Sequence, residues 1–361
     1  MSASTATSAP TAPGTAVPAT PLLEARNVTK TFSSGLLHRG VSLTALADFS
    51  FQVDADNPSI TSIVGESGSG KTTLARLLLG LTTPTTGEVR YAGSDLTKLS
   101  GAARKAFLRD VQVIFQDPFE VYNPFYKVDH VLQQPIKNFR LANGRKARRE
   151  LMEEALNTVG LRVEETLGRY PHQLSGGQRQ RIMVARALLL RPKLIIADEP
   201  VSMVDASLRA TILGSLQKLN REFGISVLYI THDLTTAYQI SQDILVLYRG
   251  TVAESGNVET VVQHPQHPYT QLLVGSVPLP NPDRPWQGER VLDAPDDDLK
   301  PRGESFCPFH DRCPYTMPVC VEERPPLFRT SPDRAVSCYL YRESPVLPAE
   351  ELSSVFAGTK G

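Results

Sequence analysis

Near its start the chain changes hydrophobic period twice. The stretches LLEARNVTKTF (22–32) and VSLTALADFSFQV (41–53) alternate apolar with polar residues, as antiparallel strands covered on one face do. TSIVG (61–65) is apolar without alternation and reads as a strand buried on both faces, whereas TTLARLLLGL (72–81) has helical spacing. Residues 117 to about 187 are helix-rich, with VDHVLQQPI and ELMEEALNTVGL as their clearest members. Beyond them strands and helices alternate through LIIADEP, LQKLNREFG, SVLYITH and DILVLYRG, the pattern of a parallel α/β sheet. Ahead of all this, residues 1–21 are Ser, Thr, Ala, Pro or Gly apart from Met1 and Val17, too poor in apolar side chains to recover their ordering entropy. They are expected to be disordered and lack the build of a signal peptide.

The junction between TSIVG and the following helix carries the first chemistry. GESGSGKT, residues 65–72, has glycines spaced for a loop whose successive N–H groups face phosphate oxygens. Gly65, Glu66, Ser67, Gly68, Ser69, Gly70, Lys71, Thr72 and Thr73 are therefore candidate ATP-binding residues, with Lys71 reaching the β and γ phosphates and the Thr72 hydroxyl placed for Mg²⁺. LIIADEP ends its strand in adjacent carboxylates, which divide the work: Asp198 on the metal, Glu199 on the attacking water. Gln116, after the strand VQVIFQ, has an amide able to approach Mg²⁺ and water, and His232, after SVLYITH, can sense a γ-phosphate. Ser202 and Asp205 in SMVDAS follow the carboxylates where a dimer partner can be met. LSGGQRQR, from Leu174 to Arg181, places Ser175, Gly176, Gly177 and Gln178 at the start of the helix QRQRIMVARALLL, where a hydroxyl, bare N–H groups and the positive end of a dipole suit an anion.

These motifs, in this order, resemble the nucleotide-binding subunit of an ATP-binding cassette (ABC) transporter over residues 22 to about 275. The resemblance implies an α/β fold, a P-loop ABC-type ATPase core with an antiparallel β-subdomain and a helical subdomain at about 117–187. It also implies that Phe32 stacks on adenine and that Gln116, Glu199 and His232 serve catalysis. Thr72, Gln116 and Asp198 would then hold Mg²⁺. In the head-to-tail dimer of this family, the Ser175–Gln178 segment closes over ATP held by a second ABC ATPase. Val204 stands where the family usually has Leu, an apolar exchange of little consequence. The aromatic-rich DPFEVYNPFYKVDH is a candidate groove for a membrane partner, lined by Phe119, Tyr122, Phe125 and Tyr126, or alternatively core of the helical subdomain.

Charge and length narrow the partners. Lys plus Arg and Asp plus Glu number 38 each, so the electrostatic footprint of a nucleic-acid binder is missing. The most basic run, GRKARRELMEEAL from Gly144, opens an amphipathic helix and reads as a solvated face. The longest apolar run is Ile244–Tyr248, too short to span a bilayer, so a transport pore would belong to other chains. Soluble relatives working on DNA ends or ribosomes fit less well, because no heptad run separates Gly65 from Leu174 and one cassette is present.

HPQHPYTQLLVGSVP, from His264, resembles the segment opening the C-terminal extension of the oligopeptide and dipeptide branch of these ATPases. All 4 cysteines follow it: Cys307, Cys313, Cys320 and Cys338. Clustered thiolates need a neutralising metal or cluster. The surrounding sequence resembles the family extension in which such cysteines ligate a 4Fe-4S cluster; Zn²⁺ is the alternative, with His310 able to replace one ligand. The branch implies an importer for peptides, or for oligosaccharides or nickel chelates. Its expected partners are a second ATPase, two transmembrane permease subunits and an extracytoplasmic solute-binding protein, with this chain peripheral on the cytoplasmic face of the membrane. Residues 276–361 form the expected extension.

Overall fold

The computed structural model describes residues 20–33, 42–117, 122–202, 204–277 and 305–356. The tail expected at 1–21 lies outside them except for its last two residues, and so does Phe119. Among the described residues, twelve strands form two sheets. The strands are β1 (Leu23–Ser33), β2 (Ser42–Val53), β3 (Ile60–Val64), β4 (Thr86–Tyr91), β5 (Ser94–Asp95), β6 (Val111–Ile114), β7 (Leu194–Asp198), β8 (Ser226–Thr231), β9 (Asp243–Tyr248), β10 (Thr251–Asn257), β11 (Phe328–Ser331) and β12 (Arg334–Val336).

β2, β1, β4 and β5 make the antiparallel sheet, in that order. The two long alternating stretches pair with each other through β1 and β2, as their period demands. The larger sheet runs β11-β12-β10-β9-β3-β8-β7-β6. From β9 to β6 it is parallel, and β3, β7, β8 and β9 are buried at every position, which is why their sequences do not alternate. The helix Lys71–Leu78 lies between the sheets and touches both β1 and β8, so Leu74, Leu77 and Leu78 share one core with Phe49, Ile63 and Leu228.

A second core joins the larger sheet to the helices Asp129–Asn138, Arg145–Thr158 and Gly176–Leu188, the helical subdomain. Tyr122 belongs to this core: it is 7 % exposed and its hydroxyl donates to the Arg179 carbonyl, 2.8 Å. Of the two readings offered for this segment, core holds for Tyr122 and groove does not, because a buried phenol needs the partner that the Arg179 carbonyl supplies. Phe125 and Tyr126 are exposed, the latter stacked on His130.

The C-terminal region is built into the same body. β12 pairs antiparallel with β10 and β11 with β12, extending the larger sheet beyond the nucleotide core. The last turn, Ala349–Val355, packs on β2, where Ser353 Oγ accepts from the Gln52 N–H. Among the described residues no helix is long and apolar enough to cross a membrane.

Candidate nucleotide site

The site lies at the carboxyl ends of the parallel strands. Gly65 ends β3 so tightly against β9 that a Cβ there would stand 2.2 Å from the Leu247 carbonyl oxygen. Gly70 caps the helix Lys71–Leu78 at φ 106°, and a Cβ on it would meet the Ala45 carbonyl oxygen at 2.4 Å. Only glycine fits either place. The helix makes its first backbone bond from the Leu74 N–H to the Gly70 carbonyl, leaving the N–H groups of Lys71, Thr72 and Thr73 without helical partners at the positive end of the dipole.

Lys71 is buried, and its ammonium donates to the carbonyls of Gly65 (2.7 Å) and Glu66 (2.8 Å) and more weakly to Ser69 Oγ (3.4 Å). Burial lowers its pKa, opposed by the charges of Glu199, Asp198 and Glu66. The charged head thus rests on loop carbonyls in the place where a polyphosphate would offer stronger acceptors. Ser67 and Gly68 are exposed at the loop tip, whereas Ser69 is buried.

Asp198, the last residue of β7, is 8 % exposed, and its Oδ1 has no hydrogen-bond partner. Burial raises its pKa, then the neighbouring Glu199 does, against the pull of Lys71, Arg76 and a Thr72 hydrogen bond. An orphaned buried carboxylate oxygen beside a threonine hydroxyl suits a hard cation.

Glu199 adopts φ 46°, a left-handed conformation that costs a non-glycine residue about 1–3 kcal/mol. Three bonds hold it there: its N–H donates to the Ile230 carbonyl (2.8 Å), and its carbonyl accepts from Ser202 N (3.2 Å) and Ser202 Oγ (3.0 Å). The turn sets its carboxylate between two neighbours: Gln116 Nε2 donates to Oε2 at 3.2 Å, and His232 Nδ1 lies 2.9 Å from Oε1. Because β6, β7 and β8 are adjacent in the sheet, Gln116 and His232, far apart in sequence, converge on the Glu199 carboxylate.

Ser175 caps the helix Gly176–Leu188 in a reciprocal box: Gln178 N donates to Ser175 Oγ (3.2 Å) and Ser175 N to Gln178 Oε1 (2.9 Å). Gly177 is packed so closely that a Cβ would come within 2.5 Å of Leu208 Cδ1. This helix is tied to the Gln116 strand end, since Gln180 Nε2 donates to the Phe115 carbonyl at 3.2 Å. Asp205 is exposed at the start of the helix Ala206–Phe223, and Phe32 is 45 % exposed on β1 with the Lys30 ammonium 5.1 Å over its ring. The latter is an open aromatic face, not part of the core.

The four cysteines are free thiols in and around a core with Tyr248, Tyr269 and Phe309. Burial pushes Cys307 up to about 11 and Cys338 up to about 12, with charge from the other thiols adding to both. Among the described residues no three His, Cys, Asp or Glu side chains are placed to hold one metal ion. The side-chain placement thus supports neither the expected 4Fe-4S cluster nor the alternative zinc site. His310, offered as a substitute ligand, has its Nδ1 engaged 2.8 Å from the Cys307 carbonyl.

Two residues touch the phosphate loop that motif reading passes over. Tyr269 Oη accepts from the Glu66 N–H at 2.9 Å, and Arg312 clasps the Glu66 carboxylate at 3.0 Å. Tyr269 sits inside the HPYT segment and Arg312 beside Cys313, so both lie in conspicuous motifs, but no local pattern shows where they reach.

Residues 46–202 match the family model of the ABC transporter, and residues 253–320 that of the oligopeptide/dipeptide transporter C-terminal region. The oligopeptide transport ATP-binding protein AppF of Bacillus subtilis is 39% identical over 327 residues, covering 89% of this chain and 97% of AppF. The chain belongs to the oligopeptide/dipeptide branch of the ABC transporter ATPases. The di/tripeptide transport ATP-binding protein DppF of Pseudomonas aeruginosa is 38% identical over 320 residues, covering 88% of this chain and 97% of DppF. A solved dimeric cassette, MJ0796 in a post-hydrolysis state bound to ADP and Pi, superposes with a TM-score of 0.57 at 31% identity, covering 65% of this chain and 98% of its own. This ABC ATPase thus hydrolyses ATP for transport, on the α/β cassette fold expected from its motifs.

Proposed function

We propose that this ABC ATPase drives an importer for oligopeptides or dipeptides, working as one of two ATPases docked on two permease subunits at the cytoplasmic face of the membrane. An extracytoplasmic solute-binding protein would deliver the cargo. The observation that carries the reading is the Glu199 carboxylate, held by a strained turn between Gln116 and His232 at the end of β7. A carboxylate so placed can take a proton from water, and its two neighbours can change partners when a γ-phosphate arrives. The relatives' peptide-transport names and the C-terminal family match support the cargo class.

In this mechanism the loop from Gly65 to Thr73 cradles the phosphates, Lys71 exchanges its carbonyl partners for phosphate oxygens, and Phe32 stacks on the adenine. Thr72, Asp198 and Gln116 would hold Mg²⁺, which neutralises phosphate charge when bound. The orphaned Asp198 oxygen supports that assignment. Ser175, Gly176, Gly177 and Gln178 close over the γ-phosphate of the second subunit, with Asp205 at the same interface. Ser202 also bonds the Glu199 carbonyl within the chain, so partner contact and the position of Glu199 share one residue.

For the four cysteines we propose a 4Fe-4S cluster. What supports the reading is the donor chemistry: four thiols, of which Cys307, Cys313 and Cys320 lie in or against one core, are the ligand type that a cubane takes at each corner. When bound, the cluster neutralises the thiolates and cross-links the extension. Protein purified without oxygen should carry iron and acid-labile sulfide near four per chain; stoichiometric zinc without visible absorbance refutes the cluster. The transport reading is tested by reconstituting the chain with its permease subunits in vesicles. Peptide-loaded binding protein should stimulate ATP hydrolysis, and stimulation by an oligosaccharide or nickel chelate in its place would overturn the cargo.

A further inference from the structure

We propose that Arg312 and Tyr269, both from the C-terminal region, are positioning residues for the phosphate loop, so that the cysteine-bearing extension sets the ATP affinity of the site. Glu66 is the pivot. Its N–H donates to Tyr269 Oη at 2.9 Å, its carbonyl accepts from Lys71 Nζ at 2.8 Å and from Ser69 N at 3.1 Å, and its carboxylate receives Arg312 Nη1 at 3.0 Å and Nη2 at 3.3 Å. One residue of the loop is thereby held from three directions, two of them by the C-terminal region, through Tyr269 and Arg312. The guanidinium also offsets a carboxylate that would otherwise add negative charge beside a triphosphate.

Arg312 is itself fixed. Its Nη1 approaches the Tyr248 hydroxyl at 3.4 Å, and its Cζ lies 5.9 Å from the Tyr248 ring centroid and 5.7 Å from that of Phe309. Phe309 and Arg312 both lie between Cys307 and Cys313, so movement of the thiol loop moves this brace. A second tie runs through the turn after β9. Arg249 donates to the Pro308 carbonyl and to Asp311, both at 3.1 Å, and the next residue, Gly250, donates its N–H to the Ser69 carbonyl at 2.8 Å. The thiol loop therefore grips the phosphate loop from both sides. Tyr269 reaches its place because His267 caps the helix Pro268–Gly275, its Nδ1 accepting from the Tyr269 N–H at 3.0 Å.

A loop that must aim several N–H groups at one ligand loses affinity with small displacements. Neither Arg312 nor Tyr269 is placed to touch the reacting atoms, so their loss should appear in binding and not in turnover. In the full-length chain, Arg312→Ala should weaken binding of a fluorescent ATP analogue and raise KM for ATP about fivefold to tenfold, with kcat changed by less than about twofold. Arg312→Lys should recover part of the affinity, and Tyr269→Phe should cost about twofold to threefold. Glu66→Ala cuts the same pair from the loop side, so Arg312→Ala combined with Glu66→Ala should be no weaker than the worse single variant. Wild-type affinity in Arg312→Ala, or single losses that multiply in the double variant, would overturn the brace. Should Arg312→Ala fail to fold, Glu66→Ala and Tyr269→Phe carry the test, and wild-type affinity in both overturns it equally. The inference rests on the loop being the ATP site, which Lys71→Ala tests separately by abolishing analogue binding.

Discussion

Asp198 and Glu254 are both buried carboxylates on the larger sheet, and they are provisioned in opposite ways. Asp198, at the end of β7 in the parallel half, is 8 % exposed and keeps one oxygen without a partner. Glu254, on β10 where the sheet turns antiparallel, is 0 % exposed, and its oxygens accept from the N–H groups of Gln266 (3.1 Å) and His267 (2.8 Å), with Arg334 at 3.9 Å. Burying charge without a partner costs free energy that the fold must recover elsewhere. In the proposed mechanism the parallel half accepts that cost, together with the strained Glu199, because ATP and Mg²⁺ would complete its site. In the antiparallel half Glu254 is completed by the protein itself, which makes the extension a fixed frame against which the nucleotide site can be held.

The contrast predicts that substitutions in one half remove function and in the other half stability. The largest effect is expected at Glu199. Glu199→Gln should retain ATP binding while phosphate release falls about 10²- to 10⁴-fold, and closed dimers should accumulate on size-exclusion chromatography under ATP. Turnover near wild type would remove Glu199 from the chemistry. Next is Glu254→Ala, which removes the charge beside Arg334 and leaves the Gln266 and His267 N–H groups without their acceptor. It should cost about 3–5 kcal/mol in denaturant unfolding and lower ATPase activity only in proportion to the unfolded fraction. Smaller in stability is Asp198→Asn: because burial already disfavours the ionised form, removing the charge should shift unfolding by no more than about 1 kcal/mol, while Mg²⁺-dependent hydrolysis is lost. If Asp198→Asn unfolds the protein as readily as Glu254→Ala, the distinction between ligand-completed and self-completed carboxylates fails.

The nucleotide site was legible where its chemistry is local. The loop from Gly65 to Thr72 needs particular residues at fixed spacing, so its geometry can be read before any tertiary contact is known. Gln116, Glu199 and His232 could be listed in order, but their meeting depends on β6, β7 and β8 being neighbours, which family resemblance implies and no residue pattern states. The extension resisted reading for a physical reason: β11 and β12 are only 4 and 3 residues long, too short for a period to show, and their place on the sheet is set by β10. Tyr122 could not be assigned to groove or core, because a tyrosine in an aromatic-rich loop looks the same whether it faces solvent or donates to the Arg179 carbonyl. Arg312 and Tyr269 act across long sequence separations, and only the folded chain brings them to Glu66.

The frame itself should fail in acid, and His267 is where to see it. This imidazole is fully buried, and burial lowers its pKa to about 3 from an ordinary value of 6.5. The unfolded chain takes up the proton first, so stability is fully present above pH 6.5 and is lost progressively as pH falls toward about 3. One unit below the ordinary value, near pH 5.5, the loss should be about 1.4 kcal/mol from this residue. Asparagine can accept from the Tyr269 N–H as the His267 ring does but has no proton to bind, so His267→Asn should flatten that part of the stability curve. Urea unfolding of both proteins at a series of pH values between 7.5 and 5 measures the difference directly. An unchanged pH slope would mean that the acid sensitivity arises elsewhere; a flatter slope, with ATP affinity preserved at low pH, would tie it to the cap that carries Tyr269 to the phosphate loop.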